Sequence, residues 1–123
     1  MIKKPLANTD ALWTIVKTDL ELKVVRGEYL AGERLPSIRN IAQIYNIGVT
    51  TARKAVDALA REGTICVSRG KGYYIMPFVK DKLNMAHKKQ LEKLLREAMD
   101  YGSGMGLTLE ELYERMKNMQ HHA

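Results

Sequence analysis

Residues 34–76 read RLPSIRNIAQIYNIGVTTARKAVDALAREGTICVSRGKGYYIM. Two segments of this stretch place apolar residues at helical spacing, so that each has one face to bury: Ile38, Ile41, Ala42 and Tyr45, then Ala52, Ala55, Val56 and Leu59. Ser37 is a good N-cap for the first predicted helix, and Gly63 ends the second. Only Asn46-Ile47-Gly48 lies between them, which predicts a tight turn with Asn46 in the left-handed conformation.

A small hairpin is expected next. Residues that favour strands lie on both sides of a four-residue tip, Arg69-Gly70-Lys71-Gly72. Two helices joined by a tight turn and followed by a hairpin with a basic tip are typical of a winged helix-turn-helix. The chain is therefore predicted to be mainly α with a small β-hairpin.

The positive charge is concentrated in this same stretch. The chain has 123 residues, a formal net charge of +6 and a sequence pI near 9.5. Residues 34–79 contain seven basic and two acidic residues, whereas the two flanking parts are nearly balanced. A charge that only served solubility would be spread more evenly. The distribution therefore favours a nucleic-acid partner for the helix-turn-helix and hairpin.

Helices are also expected on both sides of the stretch. An apolar stripe predicts one over residues 11–26, after an extended arm at residues 1–8. A second is expected from residue 81 or 82 to about residue 99, and a flexible connector at residues 101–106. We expect a winged helix-turn-helix domain over residues 1–79 and a two-helix tail over residues 80–123, in which Thr108 and Glu111 form a capping box.

The tail is predicted to be a dimerisation element. Two short amphipathic helices cannot bury both apolar faces alone, and the preceding domain already has its own core, which favours a second copy of the chain as the partner. The residues expected at this interface are Leu91, Leu94, Leu95, Met99, Leu109, Leu112, Tyr113 and Met116.

The residues expected to contact DNA lie on the second predicted helix, the start of the third and the hairpin tip. They are Arg39, Gly48, Val49, Thr50, Thr51, Arg53, Lys54, Arg69, Gly70, Lys71 and Gly72. Threonine hydroxyls suit phosphates or bases, and an arginine can bind a guanine edge bidentately or clamp a phosphate. The helix start at Gly48 and Val49 offers backbone N–H groups to a phosphate. Glycines in the tip would let it enter a minor groove.

Each of these features alone has an ordinary structural explanation, such as helix capping or a solvated basic face, and only their coincidence favours DNA. The single cysteine, Cys66, excludes an internal disulfide and is expected to be packed on its strand. No cofactor, metal site or catalytic constellation is expected. The chain contains no candidate membrane span or signal peptide, so a cytoplasmic protein is expected.

The motifs L-P-S-I-R-N-I-A, N-I-G-V-T-T-A-R-K-A-V-D-A-L-A-R-E-G and R-G-K-G-Y-Y-I together resemble the DNA-binding domain of GntR-family bacterial transcription regulators. The resemblance runs without gaps from about Gly27 to Ile75. It matches Arg39, the paired threonines, Arg53 and the wing glycines to functional positions of the family. The chain departs from the family pattern at Ala31, at Asn46, at Gly48-Val49, where Ser-Arg is usual, and at Lys54.

The short tail is similar to that of the YtrA subfamily, the smallest branch of the family. The resemblance implies a homodimeric regulator, expected to be a repressor, that binds double-stranded DNA at a palindromic operator. Helix 49–62 would enter the major groove and wing 69–72 the minor groove. Whether a small-molecule effector exists stays open. The alternative is a winged-helix module that binds protein without sequence-specific DNA binding.

Overall fold

The computed structural model describes residues 12–68, Gly70 and residues 72–121. The elements in chain order are α1 (Leu12–Val25), α2 (Ile38–Tyr45), α3 (Val49–Arg61), β1 (Ile65–Ser68), β2 (Gly72–Ile75), α4 (Val79–Gly104) and α5 (Leu109–His121). The predicted fold class is confirmed. The expected arm at residues 1–8 lies outside the described residues.

The first three helices pack around an aliphatic core. α3 packs against both α1 and α2 and contributes five fully buried residues: Ala52, Ala55, Val56, Ala58 and Leu59. Leu20 of α1 and Ile41 of α2 are buried beside them, whereas Leu12, predicted on the same stripe as Leu20, is 45% exposed. The predicted apolar faces of α2 and α3 are therefore confirmed, and small alanines let α3 pack closely.

Local sequence signals fix the turn between α2 and α3. The Ser37 hydroxyl accepts a hydrogen bond from the Asn40 backbone N–H at 3.1 Å, as an N-cap does. Asn46 has φ 52° and ψ 53°, the predicted left-handed conformation. The Ile47 N–H donates to the Ala42 carbonyl at 2.9 Å, which closes the end of α2. Ile47 then packs partly buried against the core, between the two helices.

The hairpin has an additional partner that the sequence did not predict. β1 and β2 pair antiparallel, with Ile65 opposite Ile75 and Ser68 opposite Gly72. The connector before α2 runs along the other edge of β2. Its hydrogen bonds join the Leu35 N–H to the Tyr73 carbonyl at 2.8 Å and the Ile75 N–H to the Glu33 carbonyl at 2.9 Å. Pro36 favours an extended residue before it, and burial of Leu35 holds the connector in place.

The chain divides into two compact units, with the boundary between Asn84 and Met85. Val79 and Leu83, in the first turns of α4, are buried in the core of the first unit. The sequence-based boundary at residues 79 and 80 lies five residues earlier. The assignment of DNA binding to one part and dimerisation to the other stays a prediction.

The predicted limits of α4 were wrong at both ends. The helix begins at Val79 rather than residue 81 or 82, and it continues to Gly104 rather than ending near Met99. Residues 101–104 therefore belong to the helix and not to a flexible connector. Gly102 is buried, and a methyl group built on it would lie 3.7 Å from Leu112 of α5, so glycine here allows the two helices to approach.

The helix ends in a defined hydrogen-bonded motif. The Leu107 N–H donates to the Gly102 carbonyl and the Gly106 N–H to the Ser103 carbonyl, both at 2.9 Å, with Gly106 at φ +88°. The predicted capping box then starts α5. The Glu111 N–H donates to the Thr108 hydroxyl, and the Thr108 N–H donates to the Glu111 carboxylate, which holds the pKa of that carboxyl below its ordinary value.

Candidate nucleic-acid interface

The start of α3 is open to solvent and carries no side-chain cap. Gly48 occupies the N-cap position in an extended conformation, and no side chain of the described residues caps the helix there. Val49 is 49% exposed and Thr50 is also exposed. The first N–H groups of a helix have no partner within the helix, and the helix dipole makes this end positive. With no acidic residue in the first turn, the site suits an anion such as a phosphate.

The cationic side chains near this helix are exposed and form no ion pair with the described residues. Arg53 and Lys54 follow the first turn of α3, and Arg39 lies on α2. Within the described ranges, none of the three forms an ion pair. Thr51 is half-buried, so Thr50 is the more accessible of the two threonines. The predicted residues of α2 and α3 thus present hydroxyl groups and free positive charge.

Polar contacts hold α2 and α3 on α1. The Tyr45 hydroxyl donates to the Asp19 carboxylate at 2.6 Å, and burial together with this bond raises the pKa of Tyr45 well above its ordinary value. Lys17 pairs with Glu62 at 2.9 Å and with Glu21 at 3.2 Å. Although burial opposes the charge, these carboxylates raise the pKa of Lys17. These contacts with α1 therefore fix the position of α3, whose start is exposed.

The hairpin tip lies between β1 and β2. Gly70 has φ +65° and Gly72 has φ +90°, conformations that residues with a side chain rarely adopt. No atom lies within 4 Å of a methyl group built on Gly70, so the backbone there is open to a close approach. The predicted contacts of Arg69 and Lys71 lie outside the described residues.

Two observations on β1 and its neighbour were not expected. Cys66, predicted to be packed, is exposed, because it lies on the strand face opposite to buried Ile65. Arg34 pairs with Tyr74 across the sheet, and its guanidinium lies against Gly72. The only sequence signal for Arg34 was a basic residue in an extended segment before Pro36.

The tail contains an apolar groove between α4 and α5 in the second unit. Its volume is ≈ 430 Å³, and its lining is apolar apart from Glu110. Six of the eight predicted dimerisation residues line it: Leu95, Met99, Leu109, Leu112, Tyr113 and Met116. Leu91 and Leu94, the other two, are exposed by 54% and 51%. The structure brings most of these predicted residues to one surface.

Other kinds of site are not found in the described part of the chain. No cluster of three or more His, Cys, Asp or Glu side chains there could hold a metal ion. Among the helices that the structure describes, none is long and apolar enough to cross a bilayer.

Comparison with known proteins identifies this architecture. The model of the family described as "Bacterial regulatory proteins, gntR family" matches residues 14–75, from α1 to the end of β2. The chain belongs to the GntR family. Members are DNA-binding transcription regulators and not enzymes. The GntR resemblance rests on the same helix-turn-helix and hairpin whose geometry is described above.

One GntR relative matches almost the whole chain. The HTH-type transcriptional repressor YtrA of Bacillus subtilis is 30% identical over 115 residues, which cover 94% of this chain and 88% of the relative. The match includes the tail, and the predicted YtrA-like assignment within the GntR family is confirmed.

Solved GntR structures share the fold. A GntR-family regulator from Listeria monocytogenes has a TM-score of 0.74 at 23% identity, covering 92% of this chain and 98% of the other. YtrA from Sulfolobus acidocaldarius has a TM-score of 0.54 at 21% identity, covering 99% and 98%. The two-helix tail is therefore part of a fold that these proteins also adopt.

Proposed function

We propose that this GntR-family regulator is a homodimeric repressor that binds a palindromic DNA operator. The observation that carries the proposal is the open start of α3. There the backbone N–H groups of Gly48 and Val49 and the cations Arg39, Arg53 and Lys54 have no partner among the described residues. Repression is proposed because the Bacillus subtilis relative, which matches the tail as well, is named a repressor.

Each α3 helix would enter a major groove with its first turn. Gly48 and Val49 have no long polar side chain, so the backbone can approach a phosphate closely. The exposed Thr50 offers a hydroxyl to a phosphate or base and a methyl group to a thymine, and Thr51 would add a shorter contact. Arg53 is long enough to form a bidentate contact with a guanine, whereas Arg39 and Lys54 suit phosphates.

The wing would probe an adjacent minor groove. Gly70 and Gly72 let the backbone of the tip come close, and Arg69 and Lys71 would supply positive charge to a groove of negative potential. Phosphate contacts would provide much of the affinity, so binding should weaken steeply as salt increases.

The homodimer would form through the apolar groove of the tail. Large apolar side chains exposed on both α4 and α5 favour burial against an equally apolar surface, and a second copy of the tail offers one. Two linked DNA-binding units bind two half-sites more tightly than one unit can. A chromosomal operator places the protein in the cytoplasm.

The contribution of Arg53 can be tested with the duplex that the wild-type protein selects from a random DNA library. Replacing Arg53 with Ala should weaken binding by about 1–3 kcal/mol and relax the preference at one operator position. Arg61→Ala is the matched control, because Arg61 is an exposed arginine in the last turn of the same helix. Fluorescence anisotropy on the selected duplex and its point variants measures both effects.

The outcomes separate the two classes of function. Failure of the wild-type protein to enrich any duplex, even at low salt, would reject the proposal and favour the protein-interaction module. Enrichment with equal affinities for Arg53→Ala and Arg61→Ala would reject only the role of Arg53.

A further inference from the structure

Arg34 occupies a strand position beside the wing, although it is far from the wing in sequence. It forms an antiparallel bridge with Tyr74, which in turn pairs with Cys66 of β1. Residues opposite one another in antiparallel strands direct their side chains to the same face, and residues two apart along a strand share that face. Arg34 therefore shares the outer face of the sheet with Gly72, the first residue of β2.

The side chain of Arg34 extends toward the tip of the wing. A methyl group built on Gly72 would lie 3.0 Å from the Nε atom and 3.1 Å from the Nη2 atom of Arg34. Gly72 lies two residues closer to the tip than Tyr74, which is about 7 Å along a strand. The absence of a side chain at Gly72 thus leaves a path along which the guanidinium reaches the base of the tip.

The guanidinium of Arg34 has no charged partner among the described residues. Arg34 is exposed, and no ion pair or side-chain hydrogen bond engages it among the residues that the structure describes. Other cations of the same unit are paired, such as Lys17 with Glu62. The backbone groups of Glu33 and Leu35 already hold the connector on β2. The Arg34 side chain is therefore not required to secure the wing.

We propose that Arg34 is a further DNA-contacting residue, whose guanidinium donates to a backbone phosphate at the edge of the groove that the wing enters. This inference rests on the proposed DNA-binding function. A planar guanidinium can donate two parallel hydrogen bonds to a phosphate. Contact with a phosphate strengthens binding to every sequence about equally, which distinguishes Arg34 from a base-reading residue such as Arg53.

The test measures the salt dependence of binding for full-length variants on the duplex selected by the wild-type protein. Arg34→Gln removes the charge while keeping a polar side chain, and Arg34→Ala removes the contact entirely. For both, the slope of log K against log[salt] should become less negative by about 0.9, the value for one lost phosphate contact. Affinity at moderate salt should fall roughly tenfold, with the base preferences unchanged.

Two controls make the result specific. Arg61→Ala removes an exposed arginine of the same charge and should be compared at every salt concentration. Arg34→Lys keeps the charge and should retain the wild-type slope. Thermal unfolding verifies that each variant is folded, and because Arg34→Gln and Arg34→Ala are independent, one failing to fold leaves the other decisive.

Several results would overturn the inference. An unchanged slope for Arg34→Gln would show that the guanidinium does not contact a phosphate. A change in slope equivalent to the loss of two or more phosphate contacts would mean that the side chain supports the wing as a whole. A changed base preference would indicate base reading. If the wild-type protein selects no duplex, the proposed function fails first and the role of Arg34 fails with it.

Discussion

Tyr45 shows how one residue connects α2 to the rest of the fold. It completes the apolar face of α2, while its hydroxyl donates to Asp19 of α1 at 2.6 Å. Lys23 lies 5.1 Å from the centre of its ring. The neutral phenol is the hydrogen-bonded form, so the folded state disfavours its ionisation.

This arrangement predicts a pH dependence of stability. Because the folded state raises the pKa of Tyr45, its contribution is complete below the ordinary tyrosine pKa of about 10. The contribution is lost as pH rises above that value, by up to about 1.4 kcal/mol per pH unit. Urea unfolding at pH 8 and pH 11 should show a larger loss for the wild-type protein than for Tyr45→Phe.

Tyr101→Phe is the control for this comparison. Tyr101 is 76% exposed, so this variant should keep the wild-type dependence of stability on pH. Equal losses for the wild-type protein and Tyr45→Phe would contradict the assignment.

Among single residues, the sequence predicted those whose role is local and missed those whose role depends on partners far away in the sequence. Ser37 and Asn46 act within a few residues of their own position, so cap and turn preferences identify them. Asp19 contacts Tyr45 and Arg34 pairs with Tyr74, at separations of 26 and 40 residues. No local pattern specifies such a partner, which is why Arg34 was not among the predicted site residues.

The elements show the same division. Strong apolar periodicity placed α2 and α3 to within one residue. Alternation placed both strands, except that Gly72, predicted in the tip, is the first residue of β2. The predicted end of α4 was wrong because residues 101–106, which contain three glycines, were predicted to form a flexible connector. Packing of Gly102 against Leu112 favours the helix despite the low intrinsic propensity of glycine, and Gly106 is the residue that ends it.

Two glycine substitutions test this account of α4. A methyl group at Gly104 meets no atom within 4 Å, so Gly104→Ala should stabilise the helix by about 0.5–1 kcal/mol. Gly106 has φ +88°, so Gly106→Ala should destabilise the protein by about 1–2 kcal/mol. The midpoints of urea unfolding measure both effects, and a shift in the same direction for the two variants would contradict the placement of the helix end.

At the scale of the whole molecule, the two units divide the proposed tasks. The first unit has a buried aliphatic core, although some of its apolar residues, such as Val49, are exposed. Most large apolar residues of the second unit are exposed, including Met85, Leu109 and Met119. The sequence predicted this exposure because both tail helices have an apolar face.

A charge placed in the tail groove should separate the two chains of the proposed dimer. Met116 lines the groove and is 48% exposed, so Met116→Asp adds a charge where the partner would pack. Asn118→Asp adds the same charge to the same helix outside the groove lining. Sedimentation should show a monomer for Met116→Asp and a dimer for Asn118→Asp, with binding to the selected duplex weakened at least tenfold only in the first.

If both variants sediment as dimers, the groove is not part of the dimer interface. Monomers in both, with wild-type helicity, would mean that added negative charge anywhere on α5 disrupts assembly.

The connector along β2 also covers the side of this strand that β1 leaves free. A strand whose N–H and C=O groups are unpaired along one side can recruit a strand from another molecule. In this fold β1 covers one side of β2 and residues 32–35 cover the other, so the tyrosine-bearing strand has no free side to offer. If the proposed dimer brings two wings to one DNA site, their β2 strands would therefore be unavailable for pairing with each other.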